Sequence, residues 1–298
     1  MGDSHHTRAA ARHRGRLGWV LVLVAGFAVV EIVGGILTGS LSLLSDAGHM
    51  ATDALGLGMA WAAIAAADRA EAGDHRTFGL YRLEILAALA NAVLLAAVAG
   101  YVLLEAFQRL RDPAEIQTGV MIVIAGAGLA VNLVSFRLLQ AGADEALTVK
   151  AAHMEVVADL AGSVGALGAG LIVRITGWSW VDALVGAGVG LFILPRAWQL
   201  GRSALRVLIQ AAPDHVDPLR LRADLESLEG VVEVHDLHVW TLTSSMDVAT
   251  AHIVTREGMD IHPILDRARE LLDARYGIHH ATLQVEPETH RGCTEVTW

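Results

Sequence analysis

The chain has 298 residues, of which 54% are hydrophobic and 18% are charged. Because soluble domains are about 45–50% apolar, this composition argues against a purely soluble protein and indicates an integral membrane protein with a soluble part. The net charge of −10 excludes little, since arginines gather near the N-terminus and acidic residues near the C-terminus. The single cysteine, Cys293, excludes an intramolecular disulfide framework.

Residues 1–16 form a polar segment with several arginines, and they predict a disordered cytoplasmic tail. The tail holds His5, His6 and His13, which are equally compatible with loose metal binding and with a cloning remnant. No signal-peptide cleavage pattern follows, and the next hydrophobic segment is itself long enough to remain as a span.

Six apolar segments come next, each near the roughly 20 residues that a bilayer core requires. Small residues are frequent in them, which allows close helix contact in lipid. We therefore predict a six-helix transmembrane bundle over residues 17–202. The predicted spans are Leu17–Leu37, Leu41–Ala67, Leu83–Leu110, Gln117–Leu139, Leu147–Ile175 and Trp180–Ala197.

Basic residues in the short loops predict the orientation of the bundle. One side has only Arg109, Arg111 and Arg174. The other side carries the N-terminal arginines and Arg69, Arg76, Arg82, Arg137, Lys150, Arg196, Arg202 and Arg206. The richer side is expected to be cytoplasmic, which gives a multi-pass protein of the inner (plasma) membrane with both termini in the cytoplasm.

Residues 203–290 have the composition of a soluble cytoplasmic domain, with a C-terminal tail at 291–298. Asp217 and Pro218 predict the start of a helix that ends at Gly230, and Pro263 opens a second helix that ends at Gly277. Strands are predicted at 231–242, 247–255 and 281–286. The order αββαβ predicts a small α/β domain of truncated ferredoxin-like type.

The second predicted span carries Asp46, His49 and Asp53, which fall within roughly 60° of one another on a helix. Ionisable groups at membrane depth are costly and normally face a bundle interior or a water-filled cavity. These groups either satisfy one another between helices or form a functional site. Three of them on one stripe favour function, and the chemistry suits a divalent cation.

The fifth span supplies candidates for the second half of such a site. Glu155 and Asp159 are four residues apart and share a helix face, whereas His153 lies about 240° around from Asp159. Helical geometry therefore selects Glu155 over His153 as the partner of Asp159. His153 is expected to serve packing or gating.

Four segments together resemble the cation diffusion facilitator family, and most closely its bacterial cobalt–zinc–cadmium resistance branch. They are Ser40-Leu-Ser-Leu-Leu-Ser-Asp-Ala-Gly-His-Met-Ala-Thr-Asp53, Arg76-Thr-Phe-Gly-Leu-Tyr-Arg-Leu-Glu-Ile-Leu86, Glu155 to Val164, and His235-Asp-Leu-His-Val-Trp240. The resemblance implies that paired ligands on the second and fifth spans form the transport site. The matching residues are His49, Asp53, Glu155 and Asp159. Many zinc-transporting relatives have histidine where this chain has Glu155.

Asp46 lies one turn from the ligand pair and is expected to act as a neighbouring support or proton-relay group. Glu31, Asn91 and Asn132 are expected to form helix-to-helix hydrogen bonds. By resemblance, a second metal site lies in the cytoplasmic domain. Its expected ligands are His235, His252, His279 and Glu286, with His262 as a further candidate.

The expected function is efflux of a divalent metal cation (Zn²⁺, Cd²⁺ or Co²⁺) in exchange for protons by alternating access. Three desolvated carboxylates and an imidazole cannot all be ionised without a cation, so the empty site takes up protons that metal entry expels. No other cofactor is required, and the metal is both the substrate and a structural or regulatory ligand. A homodimer in lipid is expected, with no nucleic-acid partner.

Two other classes of function use similar residues. An intramembrane metalloprotease is disfavoured because the chain has no His-Glu-x-x-His helix and the proposed ligand set leaves no obvious open position for water. A membrane-anchored metal sensor requires only the cytoplasmic domain, and it predicts that the intramembrane ligands are dispensable. The sequence therefore favours a transporter and not an enzyme.

Overall fold

The computed structural model describes residues 3–69, 77–140, 147–243 and 246–290. Several features of the sequence lie outside these residues. They are Asp74-His75, a loop pair that could bind metal weakly at the surface, Ser244-Ser245, which the sequence predicts as the turn between the first two strands, and Cys293 with the tail at 291–298. The side chains of His5, His6 and His13 also lie outside the part of the chain that the structure describes.

Six long helices make up the first two thirds of the described chain. Their bounds are α1 Asp3–Thr38, α2 Leu41–Arg69, α3 Arg82–Arg111, α4 Thr118–Gln140, α5 Leu147–Thr176 and α6 Trp180–Leu208. Most ends lie within two residues of the predicted ones. The exceptions are the start of α1 and the end of α6, which continue well beyond the apolar segments.

The backbone of α1 is helical from Asp3, whereas composition predicts a disordered tail for residues 1–16. Alanine and arginine, which are frequent in this tail, are among the strongest helix formers, so the helix continues out of the apolar segment. In the last helix of the bundle, α6 continues from the predicted end at Ala197 to Leu208. Hydropathy marks the apolar part of a helix and not its full length.

Among the described residues, four helices are long and apolar enough to cross a membrane. They are Arg82–Arg111, Thr118–Gln140, His153–Thr176 within α5, and Trp180–Leu208. In α1 the corresponding apolar part is shorter, Val22–Thr38, and α2 carries the polar stripe of Asp46, His49 and Asp53. The structure thus has a helical membrane domain with four clear spans, and the count of six stays a prediction for α1 and α2.

The chain divides into two compact units, and the first comprises residues 1–59 and 90–200. Its helices approach closely at glycines: a Cβ on Gly34 would meet the Ile124 side chain at 2.3 Å, and one on Gly128 would meet Phe27 at 2.7 Å. Such contacts are typical of helix packing in lipid. They bring α4 against α1, while α4 and α5 share an apolar core that includes Met121 and Ala166.

The start of α2 is fixed by a buried carboxylate from α6. Asp182, which is 0% exposed, accepts hydrogen bonds from the backbone N–H of Leu41 at 2.6 Å and of Ser42 at 3.2 Å. It also accepts the hydroxyls of Ser40 and Ser42. A carboxylate at a helix N-terminus satisfies free N–H groups and favours the helix dipole. This cap sets the axial position of the residues farther along α2.

The second unit comprises residues 60–89 and 201–298. Its elements are α7 Pro218–Glu226, β1 Val231–Thr243, β2 Met246–Thr255, α8 Ile261–Tyr276 and β3 His280–Pro287. The sheet order is β1-β2-β3, with β1 antiparallel and β3 parallel to β2. One apolar core joins both helices to the strands, with Leu225, Ile253 and Ile264 fully buried.

The element order αββαβ matches the predicted one, and two helix ends differ. Helix α7 ends at Glu226 with Ser227 as its cap, and Gly230, at φ 92°, instead turns the chain into β1. Helix α8 begins at Ile261 and not at Pro263, because the Asp260 side chain caps the backbone N–H of His262. Gly277 ends α8 in the left-handed conformation, as predicted. Burial raises the pKa of Tyr276 on α8, and its hydroxyl donates to Asp224.

Candidate metal centre

The side chains of α2 and α5 that helical phase selects do meet in the structure. His49 and Asp159 are buried, at 4% and 2% exposed. Asp53 lies one turn from His49, and Glu155 lies one turn from Asp159. Both are partly accessible, with side chains 23% and 30% exposed. The site therefore has a closed side, at His49 and Asp159, and a more open side, at Asp53 and Glu155.

The imidazole of His49 is at the middle of the cluster. Its Nε2 lies 3.3 Å from Glu155 Oε1 and 4.0 Å from Asp159 Oδ1, while its Nδ1 lies 3.5 Å from Asp53 Oδ2. Potential ligand atoms of His49, Asp53 and Glu155 all lie within 4.8 Å of one another. The geometry thus joins three of the predicted ligands closely, with the fourth, Asp159, at the edge of the same space.

These separations suit a small divalent cation. Ligand bonds of about 2.0–2.1 Å in a tetrahedral site place neighbouring donor atoms about 3.3 Å apart. The distance from His49 Nε2 to Glu155 has this value, and Asp159 needs to approach by about 0.7 Å. Asp53 faces the other ring nitrogen. It either rotates to reach the ion or orients the imidazole through Nδ1, as carboxylates do at many metal sites.

A basic residue that the sequence places on the cytoplasmic side, at the end of the sixth span, also belongs to this cluster. Arg196 of α6 forms an ion pair with Glu155 through Nη1, and the same nitrogen lies 3.6 Å from Asp53 Oδ2. Arg196 follows Pro195, which lacks the N–H that would continue the helical hydrogen bonding of α6. The guanidinium therefore supplies a positive charge to two of the carboxylates.

Beside the cluster, a cavity of about 250 Å³ lies between α2, α5 and α6. His49 and Asp46 line it, together with small residues of α5 and α6 and Phe192. Asp46 is 1% exposed, and it packs so closely on α5 that a Cβ on Gly162 would lie 2.3 Å from its Oδ1. Asp46 is thus next to the metal cluster and is not part of its closest ligand group.

His153 lies away from the metal cluster. Its ring stacks at a tilt on Phe136 of α4, with centroids 4.6 Å apart. The helical phase of α5 thus separates His153 from Glu155 in the way the sequence predicts, and His153 packs between helices.

A second cluster lies on the sheet of the cytoplasmic domain. His235 of β1 and His252 of β2 are direct cross-strand partners, with ring centroids 5.1 Å apart. His252 Nδ1 lies 2.9 Å from Glu286 Oε1 of β3, and the Glu286 side chain is 6% exposed. The ligand atoms of these three residues lie within 4.8 Å of one another. Three strands therefore each supply one potential ligand.

The other two cytoplasmic candidates lie elsewhere. His279 is exposed and pairs with Asp273 of α8 at 2.6 Å, and His262 is exposed in the first turn of α8. Sequence reasoning missed Asp236, which lies in a bulge of β1 at φ 50°. Its carboxylate oxygens lie 3.0 Å from His238 and 3.9 Å from His252. The one sequence signal for it is its position between two histidines of the His235-Asp-Leu-His motif.

Apolar helices that hold a carboxylate–imidazole cluster, followed by an α/β domain with a second such cluster, define a multi-pass membrane protein with metal-binding chemistry. Comparison with known families gives a narrower class. Residues 19–209 match the model for the cation efflux transmembrane domain, and residues 213–288 match the model for the cation efflux protein cytoplasmic domain. The chain belongs to the cation efflux family.

Three relatives show how far this similarity extends. The chain is 42% identical over 287 residues to the metal cation efflux system protein CzcD of Cupriavidus metallidurans, covering 96% of this chain and 90% of that one. It is 39% identical to the zinc transporter ZitB of Escherichia coli, covering 93% and 88%. It is 34% identical to the cadmium, cobalt and zinc/H⁺-K⁺ antiporter of Bacillus velezensis, covering 97% and 93%.

Proposed function

We propose that the protein exports divalent metal cations, with Zn²⁺, Cd²⁺ and Co²⁺ as substrates, in exchange for protons. The observation that carries this proposal is the cluster of His49, Asp53 and Glu155, with Asp159 beside it, inside the helical membrane domain. The names of the relatives agree with it, since they describe a cation efflux system protein, a zinc transporter and a cadmium, cobalt and zinc antiporter.

The composition of the cluster explains the exchange. Metal binds carboxylates and imidazoles only in their deprotonated forms, so metal entry expels the protons that the empty site holds. Three carboxylates around one imidazole in a poorly solvated space repel one another, and this repulsion favours either protons or a divalent cation. Access from one side for metal and from the other for protons then gives antiport.

Arg196 adds a tethered cation to this cycle. Its guanidinium lies against Glu155 and Asp53, where it neutralises part of the charge that a metal ion would neutralise. An arginine stays charged at physiological pH, so Arg196 competes with the metal ion for the carboxylates at any such pH. Metal entry then displaces Arg196 from the carboxylates, and its return helps to release the metal.

Cellular placement follows from the loop charges. The protein is a multi-pass membrane protein, and we place it in the inner membrane with both termini and residues 213–288 in the cytoplasm. Metal bound by His235, His252 and Glu286 would neutralise acidic charge on that domain. Loss of this repulsion favours association of two copies, so metal promotes a homodimer.

Metal uptake by reconstituted vesicles, with the internal pH recorded, tests the proposed exchange. Vesicles that hold the full chain should accumulate zinc, and protons should leave the lumen in step with zinc entry. An imposed pH gradient that is acidic inside should speed zinc uptake. Zinc uptake that ignores the gradient and moves no protons would contradict antiport, and hydrolysis without any uptake would indicate an enzyme.

The Glu155→His variant tests the choice of ligands. It replaces a carboxylate with a second imidazole beside His49, and imidazole is a softer ligand than carboxylate. We expect the variant to keep binding Zn²⁺ and Cd²⁺ and to lose affinity for hard ions such as Mn²⁺ by about tenfold or more. Titrations of purified variants with a panel of ions measure this.

His153→Ala provides the matched control for this comparison, because His153 packs on Phe136 outside the cluster. Its zinc affinity should stay close to that of the unmodified protein. A large loss of zinc affinity in His153→Ala with no effect of Glu155→Ala would mean that α5 presents a different face to the metal.

A further inference from the structure

A second group of polar side chains is buried in the membrane domain. Glu31 of α1, Asn132 of α4 and Ser163 of α5 are 0% exposed, and Asp46 of α2 is 1% exposed. Asn132 Nδ2 donates to Ser163 Oγ at 3.1 Å, and Ser163 lies beside Asp46. Asn132, Ser163 and Asp46 thus form a polar row across three helices, and Glu31 of α1 is buried against Gly128, one turn before Asn132 on α4.

Three carboxylate oxygens of these two buried acids have no hydrogen-bond partner among the described residues. Both carboxylate oxygens of Glu31, and Oδ2 of Asp46, make no hydrogen bond within the described part of the chain. The helix-to-helix hydrogen bond expected from the sequence is therefore present for Asn132 and absent for Glu31 among these residues. A buried ionised carboxylate with neither donor nor cation is costly, so Glu31 requires a positive charge.

The packing around Glu31 favours a proton over a metal ion. A Cβ on Gly128 would lie 2.9 Å from Glu31 Oε1, so the carboxylate lies directly against the backbone of α4. Hard cations such as Mg²⁺ and Ca²⁺ require about six or more oxygen ligands around them. A proton needs no such shell.

The titratable groups that face Glu31 from two other helices are carboxyl groups. Asp46 of α2 and Asp159 of α5 both interact with it electrostatically, while α4 faces it with Gly128 and, one turn farther on, with the uncharged Asn132. A divalent cation bound at Asp159 reverses the sign of the field from that direction. The metal centre and Glu31 are therefore coupled through charge, without a shared ligand.

We propose that Glu31 is a second proton-binding site of the transporter, which holds a proton while the metal centre is empty and releases it when a divalent cation binds. This inference rests on the proposed function. On release, the O–H bond of the Glu31 carboxyl breaks and the proton passes to the Asp46 carboxylate. Asp46 lines the cavity beside His49, so the proton reaches that cavity and Glu31 remains as a carboxylate.

Glu31→Gln removes the proton-binding group and keeps the size of the side chain. Zinc binding to the full-length protein, measured by calorimetry in buffers of different ionisation heat, counts the protons released. We expect the variant to release about one proton fewer per zinc, and the slope of log zinc affinity against pH to fall by about one. Glu105→Gln on α3, whose carboxylate pairs with Arg109 and lies outside this row, should release as many protons as the unmodified protein.

Infrared difference spectra of the unmodified protein give a readout that does not require the variant to fold. With ¹³C-labelled glutamate, zinc addition should remove a protonated-carboxyl band that carries the isotope shift. Equal proton counts in Glu31→Gln and the unmodified protein, or no labelled band in the metal-free protein, would overturn the inference. Zinc uptake by vesicles of the same preparation distinguishes two outcomes. If Glu31 is not a proton-binding site but the protein is a transporter, the vesicles still take up zinc. If the proposed function is wrong, they take up none.

Discussion

Asp159→Ala and Asp53→Ala are each expected to abolish zinc uptake by reconstituted vesicles. Asp159 is 2% exposed and lies 4.0 Å from His49 Nε2, while Asp53 lies 3.5 Å from Nδ1 of the same ring. Removing either carboxylate takes one negative charge from a desolvated ligand set. Such a charge is worth about 3 kcal/mol, so zinc affinity should fall on the order of 100-fold.

The controls for this result separate loss of a ligand from loss of the fold. Asp159→Asn keeps the side-chain size and should fold while losing uptake, and Asp112→Ala, at an exposed position after α3, should transport at the unmodified rate. Uptake at the unmodified rate in either alanine variant would show that the metal passes through another site.

Arg196→Gln should bind zinc more tightly and transport it more slowly. The guanidinium lies against Glu155 and Asp53, so the metal no longer has to displace it in the variant. A partly exposed ion pair is worth about 1 kcal/mol, which corresponds to roughly fivefold tighter zinc binding. Slower transport follows because no tethered cation returns to the carboxylates as the metal leaves. Zinc titration and initial uptake rates measure the two effects.

Two further variants serve as controls for Arg196→Gln. Arg196→Lys keeps the positive charge and should restore most of the zinc release rate, and Arg202→Gln removes an exposed arginine from the same helix without changing either quantity. Weaker zinc binding in Arg196→Gln would mean that Arg196 orients the ligands and does not compete with the metal.

Local sequence signals predict much of the fold, and they predict which residues pair within each helix of the metal centre. Apolar length predicts the six long helices, and the caps at Asp217 and Gly277 predict helix ends that the structure contains. The spacing of four residues places His49 with Asp53 and Glu155 with Asp159, since residues one turn apart share a helix face. The approach of α2 to α5 is expected from the resemblance, because helical phase alone does not fix which helices meet.

Contacts between distant segments are what the sequence does not predict. Arg196 lies 41 residues from Glu155, at the end of the predicted sixth span, where a charged residue is expected to face the cytoplasmic surface and not a metal site. In the cytoplasmic domain, strand register places His235 opposite His252, while His279 precedes β3 and pairs with Asp273 of α8. The sequence also does not show that Glu31 finds no hydrogen-bond partner among the described residues, because this depends on which groups of α2, α4 and α5 face α1.

Anomalous diffraction from crystals of the zinc-loaded full chain shows whether the substrate ion binds between α2 and α5. We expect a zinc peak about 2.0–2.2 Å from His49 Nε2 and from carboxylate oxygens of Asp159 and Glu155. The Arg196 guanidinium should have moved away from Glu155 in the same crystals. Zinc found only at His235, His252 and Glu286, with none between α2 and α5, would contradict a transport site in the membrane domain and indicate a membrane-anchored metal sensor.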